Sequence, residues 1–166
     1  MNRFFIGMLR VGIASAILFG LFGQIVVVPT TAADEVDRFP PYEPFAAPYV
    51  TVAVLGIACV QIALVATWML LDMVSRDAIF TPRAFRWVDV IIGSSVVATL
   101  LALGVTGHLA VADIPSPYDD TMQAIGALGA AVVCVGAGAA FAMLVVVMRG
   151  LLRKATDLQT EIAEVV

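Results

Sequence analysis

Charge is scarce in this chain. Asp, Glu, Lys and Arg make up 13% of its 166 residues, where soluble domains carry roughly a quarter. Histidine occurs once, as His108, and cysteine twice, as Cys59 and Cys134, with no Cys-x-x-Cys spacing. That pattern excludes a zinc ribbon and a dithiol redox motif. Axial haem ligation wants a second strong ligand on a facing helix, and there is no second histidine to supply it. Neither a glycine-rich phosphate loop nor a nucleophile elbow is present. The sequence therefore nominates no catalytic, cofactor-binding or metal-binding residue, and the expectation is a protein that is not an enzyme.

Apolar residues take the place of charge, at 61% of the chain. Residues 11–33, 44–71, 90–112 and 121–148 contain no charged side chain, and each of these windows is at least 23 residues long. As helices they reach about 35 Å or more, enough to cross a hydrocarbon core of roughly 30 Å. The expected fold is an all-α membrane protein with four transmembrane helices over about 5–28, 49–73, 86–111 and 121–148. Outer loops then cover 29–48 and 112–120, an inner loop covers 74–85, and a short amphipathic cytoplasmic helix covers 149–166. Residues 1–166 read as a single membrane domain with no room for a separate soluble one.

The few charges are sorted by side. Arg3, Arg10, Arg76, Arg83, Arg86, Arg149, Arg153 and Lys154 all flank the same ends of the spans, and only Arg38 lies at the opposite ends. There it is accompanied by Asp34, Glu35, Asp37, Glu43, Asp113, Asp119 and Asp120. The positive-inside rule places both termini and the middle loop in the cytoplasm, in a multi-pass membrane protein. Arg3, Arg10 and the small residues Thr31, Ala32 and Ala33 also resemble parts of a secretory signal. Val11–Val28 is 18 residues of apolar sequence, longer than the roughly 7–15 of a cleaved signal, so a retained helix is expected.

Pro29, Pro40, Pro41, Pro44 and Pro48 crowd the first outer loop, which suits extended or polyproline geometry. In the inner loop, Thr81 and Pro82 read as the cap and first position of span three. Trp87 follows at headgroup depth. Arg83 and Arg86 in that first turn oppose the helix dipole, so their role lies outside helix stability. Topology, anionic lipid or an acidic cytosolic partner accounts for them, and Arg76 belongs to the same group. Spacing pairs Asp89 with Arg86 and Asp72 with Arg76. Functional intramembrane carboxylates are the alternative for both acids, at shallow depth.

Small residues recur every fourth position. Gly12, Ala16 and Gly20 lead to Gln24 on span one, and Gly126, Ala130, Cys134, Gly138 and Ala142 do the same on span four. Such stripes let membrane helices approach closely. Spans one and four are expected to pack together, within one chain or across a homo-oligomer interface. Gln61 at mid-depth wants an interhelical partner. Ser94, Ser95, Thr99 and Thr106 are the other polar groups of the spans, and no ionisable residues line successive depths, which disfavours proton-coupled transport. His108 reads as an interfacial, hydrogen-bonded histidine; a pH sensor or a metal ligand with the outer carboxylates is the alternative. Cys59 and Cys134 read as inert packing residues.

Beyond Arg149, the residues Leu151, Ala155, Leu158, Ile162 and Val165 form a heptad-like seam with polar residues on the other faces. Two heptads are too few to stand alone, and the acidic far end disfavours lying on a membrane. A protein contact is expected.

The stretches LFGLFGQIVVVP (18–29), IFTPRAFRWVDVI (79–91) and MRGLLRKATDLQTEIAEVV (148–166) resemble the small four-helix bacterial membrane proteins catalogued as domain of unknown function twenty-nine seventy-five. The most specific piece is RAFRWVD, Arg83 to Asp89. The resemblance implies a topology and no reaction. Members are often encoded beside a small helix-turn-helix regulator, which implies a membrane partner or sensor for a DNA-binding protein rather than direct contact with nucleic acid. The expected function is thus a regulatory, sensory or scaffolding membrane protein touching lipid and a cytosolic partner through Arg76, Arg83, Arg86, Trp87, Asp89, Leu151, Leu158 and Ile162. An oligomeric channel or small-solute transporter lined by Gln61, Ser95 and Thr99 is the alternative.

Overall fold

The computed structural model describes residues 3–75, 82–112, 114 and 121–165, and within these the side chains of Arg3, Pro82, residues 121–124 and residues 157–165 are left aside. All the described regular structure is helical. Helix α1 spans Arg3–Phe22 and passes through one wide π turn, Gly23–Val27, into α2, Val28–Arg38. A single 3-10 turn, Pro40–Tyr42, leads to α3, Glu43–Ser75; α4 is Pro82–Val111 and α5 is Thr121–Val165. Four helical stretches, Phe4–Arg38, Pro40–Ser75, Arg83–Val111 and Ile125–Thr156, are long and apolar enough to cross a membrane.

The proline-rich segment 29–48, expected to be an extended loop, is almost wholly helical. Pro29 has no N–H to give and its ring crowds the preceding turn. The π turn just before it opens the helix, with the Val28 N–H reaching back to the Gly23 carbonyl. The hydroxyl of Thr30 donates to the carbonyls of Val26 and Val27 at 2.6 and 3.1 Å, so the loosened turn keeps its polar groups satisfied. Only Phe39 leaves helical geometry, at φ −143° and ψ 88°. It precedes Pro40, whose ring disfavours a helical residue before it. Pro40, Pro41 and Pro44 then occupy first turns, where a missing donor costs little. The chain therefore turns sharply at Phe39, and α2 lies against α3.

Helices α1, α3, α4 and α5 form a row in chain order: α1 packs on α3, α3 on α4, and α4 on α5. Among the described residues the backbone of α1 makes no close approach to α4 or α5, nor does α3 to α5. The expected packing of spans one and four on each other within the chain is thus not found; they are the two ends of the row. Most of the buried residues lie on the two central helices: Cys59, Ala66 and Leu71 on α3, and Ala84, Ile91 and Ser94 on α4, joined by Ile13 of α1. None of the most apolar window of α5 is buried. Phe19, Val133 and Met143 are each about seven-tenths exposed or more, at 76%, 70% and 69%. An apolar surface of that extent suits contact with lipid or with another apolar face, because in water it would drive association. The chain is built as a multi-pass membrane protein.

The contact seams within the chain follow a different spacing from the small-residue stripes. On α1 and the π turn after it the less exposed positions include Ile6, Arg10, Ile13, Ile17, Gly20 and Gln24; on α5 they include Leu128, Ala131, Val135, Gly138, Ala142, Val145, Arg149 and Leu152. Both sets step by alternate threes and fours, which keeps a seam on one face. A stripe stepping only by four drifts by about 40° per step at ~100° per residue. Gly12, Ala16, Gly126, Ala130 and Cys134 accordingly lie on exposed surface, and a Cβ added at Gly12 or Gly126 would meet nothing within 4 Å. Only Gly20, Gly138 and Ala142 from those stripes fall on the seams.

Polar groups of the spans are satisfied locally or between neighbours. Gln24 of the π turn that continues α1 donates to the Val54 carbonyl of α3 at 3.0 Å, and Gln61 of α3 donates to the Ile17 carbonyl of α1 at 3.4 Å. The side-chain amide of Gln61 lies over Gly20, where an added Cβ would stand 2.8 Å from Nε2. The two glutamines thus bridge α1 and α3 in opposite directions. Gln24→Leu should lower unfolding stability in mixed micelles by about 1 kcal/mol, and Gln61→Leu, with the longer bond, by less. Equal and negligible effects would mean that the bridges contribute nothing.

Candidate functional site at the basic end of the helices

Two interhelical ion pairs clip the row near the ends rich in Arg and Lys. Arg10 Nη2 of α1 donates to Asp72 Oδ1 of α3 at 3.1 Å, and the Arg10 guanidinium lies over the Trp68 ring at 5.9 Å. Arg149 Nη2 of α5 donates to Asp89 Oδ2 of α4 at 3.1 Å. Arg149 Nε is 2.7 Å from Asp89 Oδ1 but off the N–H direction, so that contact is electrostatic rather than a second hydrogen bond. All four side chains stay one-third to one-half exposed. At that exposure each clip contributes about 1 kcal/mol or less, and its main effect is to fix the register of an antiparallel pair.

One of these partners, that of Asp89, differs from the one expected by spacing along one helix. Asp89 reaches across to Arg149 instead of to Arg86, because an acid and a base that end facing apolar windows at the same depth are both partly desolvated. Asp72 takes Arg10; Arg76 lies outside the described residues. Sequence reasoning named Arg10 and Arg149 for orientation, not as interhelical ion-pair partners, and did not name Trp68. The signal was present in the window edges: Arg10 and Asp72 bound the windows of one hairpin, and Asp89 and Arg149 those of the next.

Clipping Asp89 to Arg149 leaves Arg83 and Arg86 of α4 and Arg153 and Lys154 of α5 exposed and without an ion-pair partner among the described residues. Because α4 and α5 run antiparallel from that clip, all four stand on neighbouring helices at the same end of the row. Trp87 is half-buried. With Val90 it forms one wall of a groove of about 360 Å³ whose other walls are Ile17 of α1 and Ala58, Gln61, Ile62 and Val65 of α3. The groove exists because α1 rests on α3 without reaching α4.

Helix α5 continues past Gly150 without a break. Leu152 and Thr156 carry on the face turned to α4, whereas Leu151 and Ala155 are exposed, Leu151 at 60%. The start of the apolar seam therefore points away from α4. Leu158 and Ile162 belong to the segment whose side chains are left aside.

At the opposite end, Tyr49 of α3 shares a 2.9 Å hydrogen bond between its hydroxyl and Nδ1 of His108 on α4. Phe45 and Tyr49 meet the imidazole edge-on, with centroids 6.1 and 5.7 Å away. His108 is thereby engaged with aromatic residues of a facing helix. Among the described residues no three His, Cys, Asp or Glu side chains gather as a metal site; Asp113, Asp119 and Asp120 lie outside them. Tyr49→Phe should cost about 1 kcal/mol or less in unfolding stability, the value of one exposed neutral hydrogen bond. A much larger loss would assign this contact a role beyond fastening α3 to α4.

No curated protein and no solved structure matches the chain. One family model does, over residues 30–166, described as a protein of unknown function (DUF2975). The matched region begins within α2, two residues past its start, and takes in the rest of α2 and α3 to α5, with the RAFRWVD segment and both partners of the Asp89–Arg149 clip. A match over most of the chain means that this protein belongs to the DUF2975 family.

Proposed function

We propose that this protein is a non-enzymatic membrane scaffold or sensor that holds a cytosolic protein through the end of α5, with both termini in the cytoplasm of a bacterial cell and the spans in its cytoplasmic membrane. The orientation follows from the concentration of Arg and Lys at one set of helix ends. The observation that carries the partner reading is the overhang of α5. This helix has 45 residues, about 68 Å at ~1.5 Å per residue, well over twice what a membrane crossing requires. Its last turns extend beyond the start of α4, and its seam begins at Leu151 on a face that α4 does not use. An apolar seam held in water on a helix needs a partner to cover it. A helix-turn-helix regulator, as the family resemblance implies, is a partner of suitable kind.

The transport alternative draws no support from the span hydroxyls. Ser95 donates to the Ile91 carbonyl at 2.7 Å and Thr99 to that of Ser95 at 2.8 Å, so each serves its own helix.

Deleting residues 151–166 should abolish co-purification of the cytosolic partner while the four spans still insert. Leu151→Asp should weaken it by about tenfold, the equivalent of one buried leucine turned polar. A set of co-purifying proteins unchanged by the deletion would contradict this reading.

A further inference from the structure

We propose that the groove between α1, α3 and α4 binds one acyl chain of an anionic phospholipid whose phosphate rests on Arg83 and Arg86. This goes beyond the partner reading and does not depend on it, since it uses neither the overhang of α5 nor its seam.

The groove is open along its length to the surroundings of the helices, and its walls are apolar apart from Gln61. That one polar wall residue turns its amide onto the Ile17 carbonyl and over Gly20, which leaves hydrocarbon facing the occupant. A volume of about 360 Å³ is roughly twelve times the ~30 Å³ share of one water molecule. Such a volume suits a length of extended chain.

Register connects the groove to charge. Arg83, Trp87 and Val90 are spaced by four and then three, so they lie along one face of α4, and Arg86 lies beside them four residues before Val90. Trp87 and Val90 are groove wall. Arg83 stands one turn nearer the helix end on that same face, one turn from the groove wall, with Arg86 on its flank. Neither has an ion-pair partner among the described residues, in contrast to Arg10 and Arg149. The N-terminus of α4 begins at Pro82, so the positive end of its dipole adds to the same spot. An apolar slot opening onto two free guanidinium groups, at the depth where headgroups lie, is complementary to a molecule with a hydrocarbon tail and a phosphate. Guanidinium binds phosphate through paired N–H donors.

The test uses the full-length Trp68→Phe protein, in which Trp87 is the one remaining tryptophan, reconstituted in phosphatidylcholine vesicles with a minor fraction of phosphatidylglycerol. Bromine placed on the acyl chains of one lipid or the other reports which lipid lies against Trp87 by quenching its fluorescence. The expected result is quenching by brominated phosphatidylglycerol well above its share of the bilayer. Arg83→Gln and Arg86→Gln should each lower that preference by about fivefold, the effect of one basic group near an anionic lipid surface. Arg83→Lys with Arg86→Lys should retain most of it, which shows that the glutamine variants act through charge and not through misfolding. Ala58→Phe, which fills the groove and leaves the arginines intact, should abolish it.

Quenching in proportion to bulk composition would overturn the inference. So would a preference that survives Ala58→Phe, which would assign the attraction to surface charge without the groove. A protein occupant would shield Trp87 from both brominated lipids and allow disulfide crosslinks between two copies through Ala58→Cys, and that too would overturn it.

Discussion

Replacing Gly138 with valine should separate α5 from α4 and lower stability by about 3 kcal/mol, the upper end of what overpacking costs. A Cβ at Gly138 would lie 2.5 Å from Thr99 Oγ1 and 3.5 Å from Thr99 Cβ. The hydroxyl has little freedom to yield, because it donates to the Ser95 carbonyl of its own helix at 2.8 Å. Among the described residues α5 packs on no helix other than α4, so nothing else holds it while the contact is lost. Gly138→Ala should cost less, and Thr99→Ala in that background should restore stability, since only the ordinary Cβ contact then remains. Gly126→Val is the internal control: with nothing within 4 Å of the added Cβ, it should change stability by about 0.5 kcal/mol or less, like other exposed substitutions. Unfolding in mixed micelles measures all four. If Gly138→Val and Gly126→Val behaved alike, the α4–α5 seam would be wrong.

Asp89→Arg should have the next largest effect, about 2 kcal/mol, and the exchange Asp89→Arg with Arg149→Asp should recover most of it. Removing the carboxylate forfeits an attraction of about 1 kcal/mol at this exposure, and facing two guanidinium groups across the helices adds a repulsion of similar size. The recovery in the double variant is the informative part, because it depends on the two positions meeting and not on either side chain alone. Raised salt should shrink the single-variant effect, as the pair is solvent-accessible. Arg86→Asp, by contrast, should leave stability nearly unchanged, since Arg86 is not the partner of Asp89.

The spans were legible because length and apolarity alone decide whether a helix can cross a bilayer. The edges of the charge-free windows held more than was first taken from them. Arg10 with Asp72 and Asp89 with Arg149 are window-edge residues of opposite sign, and antiparallel hairpins bring such edges together. Reading each acid against the nearest base on its own helix, as with Asp89 and Arg86, ignores that a partner on the next helix shares its depth. The small-residue stripes do not mark the seams within the chain, since strict four-residue spacing winds around a helix with 3.6 residues per turn and leaves Gly12 and Gly126 on the exposed side, where packing across a homo-oligomer would place them. The prolines between 29 and 48 looked like loop residues. In fact one π turn before Pro29 and the placement of Pro40, Pro41 and Pro44 in first turns accommodate them within helices, with Phe39 alone breaking the run. The groove could not be read from sequence, because it arises from what α1 fails to cover, although the spacing of Arg83, Trp87 and Val90 already placed charge and wall on one face. Tyr49 and His108 gave no warning either: they are 59 residues apart and meet only because α3 and α4 run antiparallel.

The central claim is that this chain crosses a membrane four times with its Arg- and Lys-rich ends on the cytoplasmic side. Single cysteines answer it most directly. Cys59→Ala and Cys134→Ala remove the native thiols, after which Asp34→Cys, Arg86→Cys and Arg153→Cys are introduced one at a time and treated, in intact cells, with a membrane-impermeant maleimide. The account predicts labelling at position 34 from outside, and at positions 86 and 153 only after the membrane is opened. Labelling of position 153 or 86 in intact cells, or protection of position 34, would contradict it.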